Sequence, residues 1–141
     1  MEPTPRPSAL EVALERVGDR WSLRVVEALL DGPRRFGELS LHIEGIAPNI
    51  LVERLRRLER GGVVLTEPYS RRPLRLAYRL SADGHELAGV LRLLAAWGTR
   101  GSEPGEPLRH EACGTPMEAR WYCPTCASAV DETATSPLRY L

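Results

Sequence analysis

His110, Cys113, Cys123 and Cys126 stand in an H-x2-C-x9-C-x2-C pattern in the last third of the chain. Thiolate and imidazole are the ligand types that Zn2+ takes in structural sites. Two knuckles of two-residue spacing, separated by a hairpin-length gap, suit a tetrahedral ion. Four protein ligands leave no open coordination position, so such a zinc is structural and not catalytic. Gly114 frees the turn after the first knuckle, and Trp121-Tyr122 can form a strand that enters the second. A segment of ~20 residues cannot bury enough core to fold alone, so the metal supplies its stability. Two other readings stay open: free reduced thiols, or a Cys123–Cys126 redox pair with Cys113 left over. A redox C-x-x-C normally opens a helix beside a sheet, and that context is not evident here. Three clustered cysteines are also a poor disulfide framework.

The second chemistry is that of arginine. The formal net charge is zero. Between Arg34 and Arg79, however, ten arginines face five acidic residues, a local net of +5. Residues 101–141 hold three arginines and six acids, a net of −3. A basic middle with acidic flanks suits a local phosphate-binding surface, and a set of solvated helix faces is the plainer alternative. All nineteen basic residues are arginine, and no function follows from that.

These groups need elements to position them. A helix is expected over 8–17, with Ser8 as its cap and Glu11 completing a capping box. Leu10, Val12, Ala13, Leu14 and Val17 give it an apolar side, and Gly18 ends it. A second helix is expected over 21–30, with Leu23, Val26, Leu29 and Leu30 at helical spacing, stopped by Asp31-Gly32-Pro33. A short helix spans 36–42 with Phe36 and Leu39 inward, and 43–46 is a turn. The next helix opens at Ala47-Pro48, with proline at a favourable first-turn position, and runs to Arg60 before Gly61-Gly62.

In that helix Leu51, Leu55 and Leu58 recur at i, i+4, i+7 and read as core. Asn49, Glu53, Arg56 and Arg60 then lie on the opposite side, with Val52 and Arg57 flanking. Arg54 flanks the buried stripe, either in an ion pair with a nearby acid or near a ligand. Strands are expected over 63–67 and 74–80, the second with Leu74, Leu76, Tyr78 and Leu80 alternating with Arg75, Ala77 and Arg79. Between them, 68–73 reads as a proline-bounded basic loop. Ser81 and Asp83 offer caps for a long helix with Leu87, Val90, Leu91, Leu94 and Trp97 as its stripe, closed by Gly98. Trp21 and Trp97 read as core or dimer-interface anchors.

Helix, helix, short helix, turn, basic helix, strand, basic loop, strand is the order of a winged helix-turn-helix. The fold class is therefore α+β and mainly helical: a winged helix-turn-helix domain followed by a small zinc-ribbon-like hairpin. The physics suits double-stranded DNA. A helix of about four turns fits the major groove and presents its outer side chains to base edges. Arg56, Arg57 and Arg60 can reach guanine edges or phosphates, and Asn49 can pair with adenine. Arg71, Arg72 and Arg75 would lie along the backbone or in the minor groove. Arg34 and Arg35 precede the short helix, where its N-terminus would face a phosphate.

Several blocks also carry a resemblance. Val17-Gly18-Asp19-Arg20-Trp21 and Leu30-Asp31-Gly32-Pro33-Arg34-Arg35-Phe36-Gly37-Glu38-Leu39 resemble the HxlR-type family of bacterial regulators. So do Gly45-Ile46-Ala47-Pro48, Leu51-Val52-Glu53-Arg54-Leu55-Arg56-Arg57-Leu58-Glu59, Gly61-Gly62-Val63-Val64 and Tyr78-Arg79-Leu80-Ser81-Ala82-Asp83-Gly84. The likeness spans about two-thirds of the chain. It implies a homodimer held by the first and last helices of the domain, bound to a palindromic operator as a repressor or activator. Some members sense oxidants or aldehydes through a cysteine just before the first helix. Ser8 stands there in this chain, which excludes thiol sensing at that site. Ala47, Asn49 and Val52 replace the Ser, Lys and Thr common in the family, which implies a different operator preference. The C-terminal segment resembles a zinc ribbon with histidine in place of one cysteine.

The expected organisation is a lead (1–7), the winged helix-turn-helix (8–98), a linker (99–109), the zinc-ribbon-like segment (110–132) and a tail (133–141). The competing function is a winged-helix and zinc-ribbon protein-interaction module in a transcription or processing complex. The arginines on the outer face of the 47–60 helix favour DNA over that. An enzyme finds no support, since no nucleophile–base set, phosphate-binding glycine loop or open metal site is evident. No residue pattern names a small-molecule effector. No apolar run approaches the ~18 to 20 residues that span a bilayer, and the lead is not a signal peptide, so a cytoplasmic protein is expected.

Overall fold

The computed structural model describes residues 6–98 and 108–130. All of the expected tail, most of the lead and most of the linker lie outside those residues. Two units are distinguished, Met1–Arg92 and Leu93–Leu141. The elements in chain order are α1 (Ala9–Val17), α2 (Arg20–Leu29), β1 (Arg34–Arg35), α3 (Phe36–His42), α4 (Pro48–Arg60), β2 (Val64–Arg71), β3 (Leu74–Leu80), α5 (Ala82–Gly98), β4 (Trp121–Cys123) and β5 (Ser128–Val130).

The helix starts follow local chemistry. Ser8 Oγ accepts the Glu11 N–H at 3.2 Å, and Glu11 reaches back to the Ser8 N–H, so the capping box forms as the sequence predicts. α2 opens one residue earlier than expected. Asp19 caps it, accepting the N–H groups of Trp21 and Ser22 at 3.0 Å each. Gly61 ends α4, its N–H donating to the Arg57 carbonyl at 2.9 Å.

The core joins these helices to the sheet. Val25, Val26, Ala28 and Leu29 of α2 meet Leu39 of α3, Ile43 and Ile46 of the turn, and Leu51, Leu55 and Leu58 of α4. Val63, Val64 and Leu80 close it from the sheet side, and Leu23, Leu30 and Phe36 pack against it, partly buried. Burying each leucine of α4 contributes about 1.5–3 kcal/mol, so the 3.6-residue period of α4 fixes its rotation. At Gly84, α5 lies directly against the Val63 backbone and the Leu80 side chain. A Cβ there would collide with the Val63 carbonyl oxygen, so only glycine fits.

Three antiparallel strands form the sheet, in the order β1-β3-β2. β1 has no counterpart among the expected elements. It is two residues long, too short for any periodicity, and exists because Arg34 pairs with Tyr78 and Arg35 with Ala77. The proline-bounded loop over 68–73 is corrected as well. β2 continues through Arg71, with its register shifting between Pro68 and Ser70, and the hairpin turns only at Arg72 and Pro73. Pro68 lacks an N–H, but an edge strand at an irregularity tolerates that.

The stripes of α1 and α5 behave differently from the expectation. Leu87 and Leu91 pack against the core, whereas Val90, Leu94 and Trp97 are exposed, Trp97 at 65%. Trp97 is therefore not a core residue of its own chain. On α1 only Val17 is buried, and Leu10, Val12 and Leu14 face out. Trp21 is half-buried against the core, with the guanidinium of Arg20 4.6 Å from its ring centre.

Candidate nucleic-acid interface

α3, the 43–47 turn and α4 form the helix-turn-helix. Ala47 precedes α4 without a side-chain cap, and Pro48 starts it, where a missing N–H costs nothing. With Leu51, Leu55 and Leu58 inward, Asn49, Glu53, Arg56 and Arg60 all stand exposed on the opposite side. Val52 is half-buried on the flank. Arg56 and Arg60 form no hydrogen bond or ion pair among the described residues. Glu53 pairs with Arg54 at 2.9 Å.

Two flanking arginines are held from behind. Arg54 Nε donates to Asp19 Oδ1 at 2.9 Å, and Arg57 Nη1 donates to Asp19 Oδ2 at 3.1 Å. Arg57 Nε also donates to the Glu15 carbonyl at 3.2 Å. Ser22, fully buried, donates its hydroxyl to the same Asp19 carboxylate at 2.6 Å. One carboxylate thus caps α2 and ties α4 to it. Burial pushes the Asp19 carboxyl up, but the hydrogen bonds from Ser22 and Arg54 outweigh this and hold it below the ordinary carboxylate range. Arg54 takes the ion-pair alternative. Sequence reasoning did not single out Asp19. Its place before α2 signals a cap, but its pairing with residues 35 and 38 positions away has no local signature.

The hairpin tip supplies a second basic surface. Arg71 sits opposite Leu74 and Arg75 opposite Ser70, with Arg72 in the turn between. All three are exposed and form no hydrogen bond or ion pair among the described residues. Arg35 stacks its guanidinium 4.2 Å from the Tyr69 ring centre, at the side of the hairpin. Arg34 turns inward, donating from Nε to the Ala28 carbonyl at 2.6 Å.

Known proteins share this fold. Residues 16–106 match the family model described as HxlR-like helix-turn-helix. The chain belongs to the HxlR-like family. It is 36% identical over 129 residues to an HTH-type transcriptional regulator of Mycobacterium tuberculosis, covering 89% of this chain and 81% of that one. It is 32% identical over 102 residues to the HTH-type transcriptional regulator YodB of Bacillus subtilis, covering 72% of this chain and 91% of that one. The reduced form of YodB superposes with a TM-score of 0.60, at 31% identity, over 72% of this chain and all of that one. The structure of a transcriptional regulator named ytcD gives 0.61 at 34% identity, over 67% and 96% of the two chains. This HxlR-like chain is therefore a DNA-binding transcriptional regulator and not an enzyme. Among the described residues no helix is long and apolar enough to cross a membrane.

The C-terminal cysteines of this HxlR-like regulator lie on two turns. In the first, His110 Nδ1 is 3.3 Å from Cys113 Sγ, and the Gly114 N–H donates to the His110 carbonyl at 2.7 Å. Thr115 Oγ1 and Cys113 Sγ share a hydrogen bond of 3.2 Å, and bonding with Thr115 draws that thiol below its usual range. In the second, β4 and β5 pair Cys123 with Ser128, and hydrogen bonding from Cys126 and Thr125 draws the Cys123 thiol below its usual range while Cys123 pushes that of Cys126 up. All three cysteines are free thiols. Among the described residues, no three His, Cys, Asp or Glu side chains are grouped closely enough to hold a metal. The four predicted ligands are thus brought together as two pairs.

Proposed function

We propose that this regulator binds a palindromic operator as a homodimer and represses or activates nearby genes. α4 enters the major groove, with Asn49, Val52, Glu53, Arg56 and Arg60 toward base edges and phosphates. The hairpin tip lays Arg71, Arg72 and Arg75 along the backbone or into the minor groove, and Arg35 flanks it. Arg34 and Arg57 lie at the margins of this surface, each donating to a carbonyl of the protein's own backbone. The carrying observation is that Arg56, Arg60, Arg71, Arg72 and Arg75 are exposed and form no hydrogen bond or ion pair among the described residues, although the chain's net charge is zero.

The homodimer is supported by the apolar residues that a single chain leaves uncovered. Leu10, Val12 and Leu14 of α1, and Val90, Leu94 and Trp97 of α5, are exposed on helices otherwise built to bury a face. A second copy of the chain covers them in this reading. The C-terminal pair of turns reads as a zinc-ribbon-like extension, and the regulator as a cytoplasmic one.

Selection of bound duplexes from a random pool tests the proposal. The expected product is an inverted repeat with half-site centres about 10 base pairs, or a multiple, apart. No enrichment at low salt would overturn it and favour a protein-interaction module.

A further inference from the structure

We propose that His110, Cys113, Cys123 and Cys126 bind one Zn2+ per chain as a tetrahedral set of one nitrogen and three sulfurs. This rests on the zinc-ribbon-like reading of the C-terminal segment and adds the ligating atoms and the stoichiometry.

The observation behind it is that the two turns are copies of one another. Each places a donor at one position and a cysteine three residues on. Each cysteine is followed by a residue in the left-handed region, Gly114 with φ 69° and Ala127 with φ 52°. Each turn is closed by antiparallel pairing, Arg109 with Pro116 and Cys123 with Ser128. Ala127 is the only non-glycine with positive φ among the described residues. An L-residue occupies that region at a cost, which glycine avoids at the equivalent place. The second turn thus keeps the form of the first even where the residue type opposes it.

The geometry of the first turn suits zinc. Zn–N is about 2.0–2.1 Å and Zn–S about 2.3 Å, so two such ligands at the tetrahedral angle lie about 3.5 Å apart. His110 Nδ1 and Cys113 Sγ are 3.3 Å apart. The geometry therefore assigns Nδ1 as the ligating atom and leaves Nε2 for a hydrogen bond outside the site.

Apart from its short strand pairings, the described part of the segment buries almost no apolar surface. Of residues 108–130, all are exposed except the partly buried Cys123 and Val130, and Met117, Trp121 and Tyr122 are among the exposed apolar ones. The two pairs are not grouped for a shared ion among the described residues. Binding one ion therefore requires the two pairs to close on each other, so metal binding is coupled to docking of the two turns. A Cys123–Cys126 redox pair would leave the His110–Cys113 turn without a role.

The test uses the full chain, purified under reducing conditions and reconstituted with Zn2+ or Co2+. We expect one zinc per chain by elemental analysis. The cobalt form should show intense visible ligand-field bands of a tetrahedral site with thiolate charge-transfer bands. Cys113→Ser, Cys123→Ser and His110→Ala should each weaken metal binding at least tenfold, and His110→Cys should keep it. Wild type without stoichiometric metal, an octahedral cobalt spectrum, or full zinc retention in Cys113→Ser or His110→Ala would overturn the site. Duplex binding and helical circular dichroism are read on each variant. Loss of metal with DNA binding kept separates this site from the regulator reading. Chelator titration of the wild type gives the same metal readout if a variant does not fold.

Discussion

Asp19 is the residue whose replacement should be felt furthest from its position. Its carboxylate caps α2 and accepts from Arg54 and Arg57 of α4, at 2.9 and 3.1 Å. The Asp19 side chain is 25% exposed and that of Arg54 19%, so solvent screens the pairs only in part. Asp19→Asn keeps a side-chain cap and removes the charge. A charge-assisted hydrogen bond at a buried site is worth about 1.5–3 kcal/mol. Partial exposure lowers that, so about 1–2 kcal/mol should be lost in all. Asp19→Ala removes the cap as well, about 1 kcal/mol more. For a domain of this size each kcal/mol shifts Tm by about 4–8 °C. The Asn variant should melt roughly 5–15 °C below wild type and the Ala variant lower still.

The pH dependence has a definite sign. The native pKa of Asp19 is lowered, so its contribution is full above the unfolded value of about 3.9 and is lost as pH falls through the native value. The gap between wild type and Asp19→Asn should therefore close in acid. Thermal melts followed by circular dichroism from pH 7 to 2 measure both effects. An Asn variant with the wild-type Tm at neutral pH, or a gap that widens in acid, would show that the Asp19 charge does not stabilise the fold. The freed Arg54 and Arg57 should also raise non-specific DNA affinity, with a salt slope steeper by up to about 1.8 per protomer.

Other outcomes follow from the same geometry. Arg71→Ala and Arg72→Ala should weaken binding to all duplexes alike and flatten the salt slope by about 0.9 for each phosphate no longer neutralised, read by fluorescence anisotropy over a salt series. Asn49→Lys should change the ranking of operator sequences in a binding selection, with discrimination at one base pair altered by about 1–3 kcal/mol. An unchanged ranking would remove Asn49 from the reading surface. Leu94→Arg should convert a dimer to a monomer in analytical ultracentrifugation and weaken operator binding, while the melting of the domain core changes little. A wild-type monomer at the concentrations that bind DNA would contradict the paired-helix interface.

Local elements are legible in the sequence, and non-local ones are hidden. The capping box at Ser8 and Glu11, the leucine period of α4 and the glycines after it are all short-range signals, and each places its helix within a residue or so. β1 is invisible because two residues carry no period, and only the partners Tyr78 and Ala77 define it. Proline normally interrupts a strand, so Pro68 points to an early end for β2, but an edge position with a register shift absorbs it. The outer face of α4 is legible, since burial of Leu51, Leu55 and Leu58 dictates it. The fate of Arg54, Arg57 and Arg34 is not, because each is decided by an acceptor brought close by packing. The stripe of α5 is plainly apolar in the sequence, but periodicity alone cannot distinguish a face that meets its own core from one left uncovered.

In the proposed function, α4 and the hairpin tip form a surface that reads duplex DNA. The most direct measurement is the affinity of the full chain for its selected duplex and for a shuffled one, across a salt series. Two copies of the five arginines without hydrogen-bond or ion-pair partners among the described residues can engage at most about ten phosphates, giving a slope of log affinity against log salt of up to about −9. A steep negative slope is expected on both duplexes, with the selected one bound at least about 10³-fold tighter at physiological salt. A slope near zero, or equal affinity for the two duplexes, would contradict it.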